Sequence, residues 1–313
     1  MLLLELNDQS LKTLKDVRAA FGYTLLGVIP ASTARKRKSD LTAAHTTLEI
    51  AVRDTPQSLT SEMSRMIQSN LKFLGTDREL KTIVVTSAVP NEGKSKVAAN
   101  LAASIAGLGH RVLLIDADMR LPVQQHLWKL NRSKGLSEVV TGTAEFKVAR
   151  WKVMDNLDVL TAGAQTPNPL ACLESKRMAA LIEAANSKYD FVIIEAPPVL
   201  VAADALTLGR MSDGILMVSR PGVIDANKAQ AAQDIIAISR CNVLGLIVNG
   251  IIEKNEFSSY FAYAKEYFVP EPPTTSSLPE GLTRLGETIV NRAAETTALT
   301  KPKNSIPFSD LLS

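Results

Sequence analysis

Apolar runs of four to eight residues recur through the middle of the chain, at 82–87, 112–116, 157–161, 191–195, 214–219 and 243–249. Each is continuous rather than alternating, the pattern of a strand covered on both faces. Between them lie segments of helical period at 94–108, 171–187, 202–211 and 226–240. Such alternation implies right-handed βαβ crossovers. It predicts an α/β fold, a doubly wound and mostly parallel sheet with helices on both faces. Ligands of these sheets bind at the carboxyl ends of the strands, so the chemistry is expected just after each apolar run.

Outside this zone the rhythm breaks. Residues 1–58 mix short apolar runs with the basic cluster Arg35-Lys36-Arg37-Lys38, which reads as a solvated linker or a contact to an anionic membrane surface. From about residue 253 the pattern is lost, and after Pro270 the chain turns to EPPTTSSLPEG and a Thr-rich end, the composition of a disordered tail. The expected division is therefore 1–58, 59–252 and 253–313. No apolar run reaches the ~18 residues of a membrane span. The opening MLLLELNDQSLK is not a secretory signal, because acidic Glu5 and Asp8 follow a short apolar piece.

Composition adds exclusions. With 35 basic and 32 acidic residues, the net charge of +3 gives no global attraction to nucleic acid. Cys172 and Cys241 have no metal-ligand spacing and read as small buried hydrophobes in a reducing cytoplasm. His45, His110 and His126 are scattered.

The unusual residues follow the apolar runs. After the first, Ala88-Val89-Pro90-Asn91-Glu92-Gly93-Lys94-Ser95 fits the phosphate-binding pattern G-x-x-x-x-G-K-[ST], with Ala88 in place of the first glycine. Gly93 lets the backbone close around phosphate, and the helix N-terminus supplies N–H donors and partial positive charge. Lys94 reaches the β/γ-phosphates and the Ser95 hydroxyl ligates Mg²⁺ in such a loop. The run 112–115 ends in Asp116-Ala117-Asp118-Met119-Arg120, paired carboxylates that call for a cation. The run 191–194 ends in Glu195, a second nucleotide signature in which the acid holds Mg²⁺. Asn249, after the last run, reads either as a contact to the base edge or as a turn residue before Gly250.

Together these residues resemble the bacterial tyrosine autokinases (BY-kinases), P-loop kinase modules of polysaccharide co-polymerases. The resemblance is carried by SAVPNEGKSK at 87–96, LLIDADMRLP at 113–122 and YDFVIIEAPPVLVAADA at 189–205, and it extends over residues 1–268. Residues 61–73 look like the helix before that domain. Residues 2–31 look like the segment joining the family's membrane-spanning region to its kinase.

The resemblance implies ATP and Mg²⁺ as cofactors. Pro90, Asn91, Glu92, Gly93, Lys94, Ser95, Lys96 and Asn249 would form the nucleotide site, with Lys94, Asp116 and Asp118 catalytic. Asp116 would accept the tyrosine proton, and Ser95, Asp118 and Glu195 would hold the metal. The acceptors would be Tyr260, Tyr263 and Tyr267, three of the chain's five tyrosines, presented to a neighbouring subunit. At near-helical spacing beside Phe257, Phe261 and Phe268, they read equally as an aromatic packing stripe. Glu62 and Arg65 would contribute to a homo-oligomer. A membrane-spanning co-polymerase would hold the chain at the inner face of the plasma membrane, with no nucleic acid involved.

Three positions depart from the family pattern. Glu195 stands for Asp, Lys96 for Thr, and the helix motif Glu-x-x-Arg-x-x-Arg ends in Gln68. Two alternatives follow: a nucleotide-sensing scaffold without turnover, and a partitioning or division-site ATPase. The latter class carries an extra lysine where this chain has Val89.

Overall fold

All of the apolar runs named above form strands, and they occupy adjacent places in one sheet. The protein is described from a computed structural model over residues 10–31, 49–74, 79–131 and 134–252, all within the unit Met1–Val269. The strands are β1 (Leu25–Pro30), β2 (Thr82–Ser87), β3 (Val112–Asp116), β4 (Arg150–Met154), β5 (Leu157–Leu160), β6 (Phe191–Glu195), β7 (Gly214–Ser219) and β8 (Val243–Ile251). The helices are α1 (Leu14–Phe21), α2 (Ala51–Asp54), α3 (Leu59–Leu74), α4 (Lys94–Gly107), α5 (Gln124–Leu127), α6 (Leu136–Thr141), α7 (Phe146–Ala149), α8 (Pro169–Leu173), α9 (Lys176–Lys188), α10 (Asp204–Arg210) and α11 (Ala226–Ser239).

The eight strands lie in the order β1-β8-β7-β2-β6-β3-β5-β4. Neighbours are parallel except β4 and β5. The inner strands are mostly apolar because both faces are covered. Val84, Leu113, Ile115, Ile194 and Met217 pack on one face with residues of α1, α9, α10 and α11. Ile83, Val85, Leu114, Ile193 and Leu216 pack on the other with residues of α3 and α4. Each such side chain contributes about 1.5–3 kcal/mol by leaving water.

The two strands absent from the sequence expectation are the two edges. β1 comes from the segment 1–58 and pairs in parallel with β8. It is held by α3, whose Asn70 amide donates to the Leu26 carbonyl at 2.8 Å. A side chain at Gly27 would collide with Ile67, so the glycine permits that approach. β4 is a partly exposed antiparallel strand, without the apolar continuity that marks the inner ones.

The helix expected over 171–187 is two helices. Ser175 interrupts it, its hydroxyl accepting from the Met178 N–H at 3.1 Å to cap α9, while Asn168 caps α8. Cys172 and Cys241 are free thiols, half-buried rather than buried. The basic cluster at 35–38 and Tyr260, Tyr263 and Tyr267 lie outside the described residues. Among the described residues no helix is long and apolar enough to cross a membrane.

Candidate active site

The central strand β2 delivers the loop 88–93 to the carboxyl edge of the sheet, and the loop turns directly into α4. Gly93 makes the turn at φ 92°, in the left-handed region that favours glycine. A Cβ there would lie 2.0 Å from Asn249 Nδ2. That amide, at the end of β8, donates to the Glu92 carbonyl at 2.8 Å.

The Glu92 side chain turns into the protein. Its carboxylate accepts from the Val89 N–H (2.8 Å), the Ser219 hydroxyl (2.9 Å) and the Arg220 N–H (3.2 Å). Burial lifts this carboxyl to about 7, with those donors pulling it back down. The loop is thus fastened to β7 and β8, while no side chain caps the first turn of α4. An uncapped helix start behind a glycine turn offers backbone N–H groups to an anion.

Beside the loop, strand register brings the acids together. β3 and β6 are neighbours, and Asp116 lies opposite Glu195. Lys94 Nζ donates to Asp118 Oδ2 and to Glu195 Oε1, each at 2.8 Å. The Ser95 hydroxyl also donates to Glu195 Oε1. The Gln124 amide donates to Glu195 Oε2 at 2.5 Å and to the Ser95 carbonyl at 3.0 Å. Asp116 Oδ2 accepts from the N–H groups of Val123 and Gln124, and its Oδ1 from the Asp118 N–H. Asp118 Oδ1 accepts from the Leu121 N–H at 3.0 Å.

Two of the three buried carboxylates, Asp118 and Glu195, therefore share the Lys94 ammonium, while Asp116 is held by backbone N–H groups. Burial, reinforced by the Glu195 charge, pushes Asp116 well above the usual carboxylate range. Burial opposes the charge on Lys94, but Glu195 and Asp118 outweigh it and raise the amine above its ordinary value. The surplus negative charge and the Ser95 hydroxyl suit a hard divalent cation. Among the described residues no three His, Cys, Asp or Glu side chains form a ready-made metal cage. This accords with Mg²⁺, which takes one or two carboxylates and completes its shell with phosphate oxygens and water. The glycine turn and helix start fit the phosphates themselves.

The other expected residues are spread around this cluster. Pro90 and Asn91 are exposed on the loop. Lys96 is half-buried, and burial lowers its amine while the Glu49 charge raises it. Glu62 and Arg65 lie apart from Lys94, on α3, and pair with each other; Arg65 also donates to the Pro56 carbonyl at 3.0 Å. Sequence reasoning gave no role to Gln124, Arg120 or Asp204. Gln124 carries no signal in a single sequence. Arg120 and Asp204 stand inside the strings that carry the family resemblance, and their charge beside strand ends was the available clue.

The sequence profile of the AAA domain matches residues 80–230, which include the loop and both acidic strand ends. Tyrosine-protein kinase YwqD of Bacillus subtilis (strain 168) is 39% identical over 208 residues, 66% of this chain and 88% of that one. Tyrosine-protein kinase etk of Escherichia coli (strain K12) is 35% identical over 202 residues, 64% of this chain and 28% of that one. The solved kinase domain of Escherichia coli tyrosine kinase ETK superposes with a TM-score of 0.69 at 31% identity, covering 76% of this chain and 94% of that one. With this loop, this acidic cluster and these relatives, the chain belongs to the bacterial tyrosine-kinase family.

Proposed function

We propose that the chain is an ATP-dependent protein-tyrosine autokinase that regulates the synthesis and export of an exopolysaccharide or capsular polysaccharide. The observation that carries this reading is the convergence of Asp116, Asp118 and Glu195 on Lys94 at the mouth of the phosphate loop. Residues 59–252 hold the chemistry, 1–58 face the membrane partner, and 253–313 carry the acceptors.

In this reading the α4 N-terminus, the loop backbone from Pro90 to Gly93 and the half-buried Lys96 hold the phosphates of ATP. Lys94 orients the transferring group. Asn249 and Glu92 act by fixing the loop. Ser95, Asp118 and Glu195 would hold Mg²⁺, which when bound neutralises phosphate charge. Asp116 receives the proton of the attacking tyrosine, an assignment supported by the raised proton affinity of its buried carboxyl. The tyrosine oxygen bonds to the γ-phosphorus, the bond to the β-phosphate oxygen breaks, and ADP leaves. Catalysis of this kind rests on positioning and electrostatics. The acceptors are Tyr260, Tyr263 and Tyr267 of a neighbouring copy, brought near through the α3 face that carries Glu62 and Arg65. A membrane-spanning co-polymerase places the assembly at the inner face of the plasma membrane.

The test is phosphotyrosine mapping by mass spectrometry on protein incubated with its membrane partner, ATP and Mg²⁺. Phosphate on those tyrosines, absent in Lys94→Met, is the expected result. No phosphotyrosine in the wild type, or equal amounts in Lys94→Met, overturns it.

A second reading, a nucleotide-sensing scaffold without turnover, draws on Glu195, whose longer carboxylate is engaged by Lys94, Ser95 and Gln124. Restoring Glu195→Asp with Lys96→Thr discriminates the two. A large gain in phosphorylation supports the scaffold, and no gain supports the kinase.

A further inference from the structure

Past their acidic ends, β3 and β6 each continue into a loop, and one ion pair closes across the gap between them. Arg120 Nη2 donates to Asp204 Oδ1 at 3.1 Å. We infer that Arg120, held by Asp204, is the cation that contacts the γ-phosphoryl group as it transfers, with Asp204 as its positioning residue. This rests on the kinase reading above.

Charge balance gives the first reason. Lys94 is committed to two carboxylates, Asp118 and Glu195. A phosphoryl group entering this cluster brings further negative charge, so a second cation close to the strand ends is needed. Arg120 lies two residues beyond Asp118 in the loop whose turn Asp118 closes by accepting the Leu121 N–H. Its side chain is 39% exposed, and among the described residues Asp204 is its one hydrogen-bond partner. A guanidinium carries five N–H donors in a planar fork matched to two oxygens of a phosphoryl group. Most of that fork remains available.

The second reason is the cost of the anchor. Asp204 is fully buried, and its Oδ2 has no hydrogen-bond partner among the described residues. Burial raises its proton affinity, and the Arg120 charge and hydrogen bond only partly offset this. A buried carboxyl with one oxygen unsatisfied costs stability, and buried ion pairs commonly add none. What the arrangement supplies is orientation. An unanchored arginine gives up rotamer freedom when it is immobilised. One already fixed by Asp204 has lost most of it before the reaction begins.

The full chain as wild type, Arg120→Ala, Arg120→Lys and Asp204→Asn tests this. ADP affinity is measured with and without aluminium fluoride, a mimic of the phosphoryl group in flight, beside kcat and KM for phosphotyrosine formation and the melting temperature. In Arg120→Ala, ADP affinity should stay within about twofold. The fluoride-dependent tightening should vanish, and kcat should fall about 10²- to 10³-fold with KM little changed. Arg120→Lys should recover only part of both, because an ammonium lacks the fork, and Asp204→Asn should fall between.

Full tightening and full kcat in Arg120→Ala would overturn the inference and leave the kinase reading intact. Joint loss of melting temperature and ADP binding would also overturn it, reducing the pair to a structural clasp, as would a wild type that shows no tightening. Arg120-dependent tightening in a wild type that makes no phosphotyrosine would sink the kinase reading, and with it the transfer role, leaving Arg120 as a contact to the terminal phosphate only.

Discussion

Two buried clusters of charge are built into the same sheet. At the β4–β5 edge, Asp158 Oδ2 accepts from Arg150 Nη1 and from the Tyr189 hydroxyl, each at 2.5 Å. Burial, with the Asp158 bond next, drives the Tyr189 hydroxyl above its ordinary range, so the phenol stays a neutral donor. One anion meets one cation and one neutral group, and the cluster is balanced. At the ends of β3 and β6, two carboxylates, Asp118 and Glu195, meet the one ammonium of Lys94, with buried Asp116 beside them. Both clusters carry the cost of taking charge out of water. The balanced one recovers it internally and acts as a strut tying β4 and β5 to the chain before β6. The unbalanced one keeps an excess of carboxylate that a further cation would offset, which makes it the candidate site. Net charge, rather than burial or hydrogen-bond count, separates the two.

Substitutions should separate them as well. Lys94→Met is expected to have the largest effect: phosphotyrosine falls to background and ADP affinity drops more than about tenfold, read by mass spectrometry and titration. Retained phosphorylation would mean that the unbalanced cluster is no site. Asp158→Ala strips Arg150 and Tyr189 of their shared acceptor and should cost about 3 kcal/mol in urea unfolding. ADP affinity of the folded protein should not change, and a change would break the distinction between strut and site.

Glu92 tests an intermediate case, a buried carboxylate with neutral donors and no cation. Its folded value of about 7 stands against an ordinary 4.5, so the native state binds the extra proton between those values. Stability is therefore greatest below 4.5 and declines as pH rises through 7. Glu92→Gln should flatten that decline by on the order of 1–2 kcal/mol, checked by melting at pH 5 and pH 8. The half-buried Glu62–Arg65 pair calibrates the scale. Arg65→Gln should cost only about 0.3–0.5 kcal/mol in the monomer. A change of oligomeric state at that small cost, seen by light scattering, would give the pair a role in assembly.

The legible parts of the fold were those with two covered faces. From β2 at 82–87 to β8 at 243–251, mostly apolar runs located every inner strand, because strands covered on both faces favour apolar residues on either side. The edges escaped for the same reason. β1 alternates partly exposed residues such as Leu25 and Gly27 with buried ones, and β4 has no buried residue among Arg150–Met154. In the site, motif spacing found Gly93, Lys94, Ser95, Asp116, Asp118 and Glu195, which are fixed by strand ends and a single turn. Gln124 was not legible, since it reaches Glu195 only after the chain loops back from Asp116. The Arg120–Asp204 contact joins the loop after β3 to the start of α10, far apart in sequence, and no local pattern encodes that closure.

The edge strand β1 also has a mechanical consequence. Ile29 lies in register with Asn249, and the Asn249 amide grips the Glu92 carbonyl against Gly93. The Ala31 N–H is bonded in turn to the Ile251 carbonyl at 2.8 Å. A pull along the chain at Ala31 is therefore borne first by β8 and next by the loop that holds phosphate. The N-terminal segment and that loop thus share one support, β8.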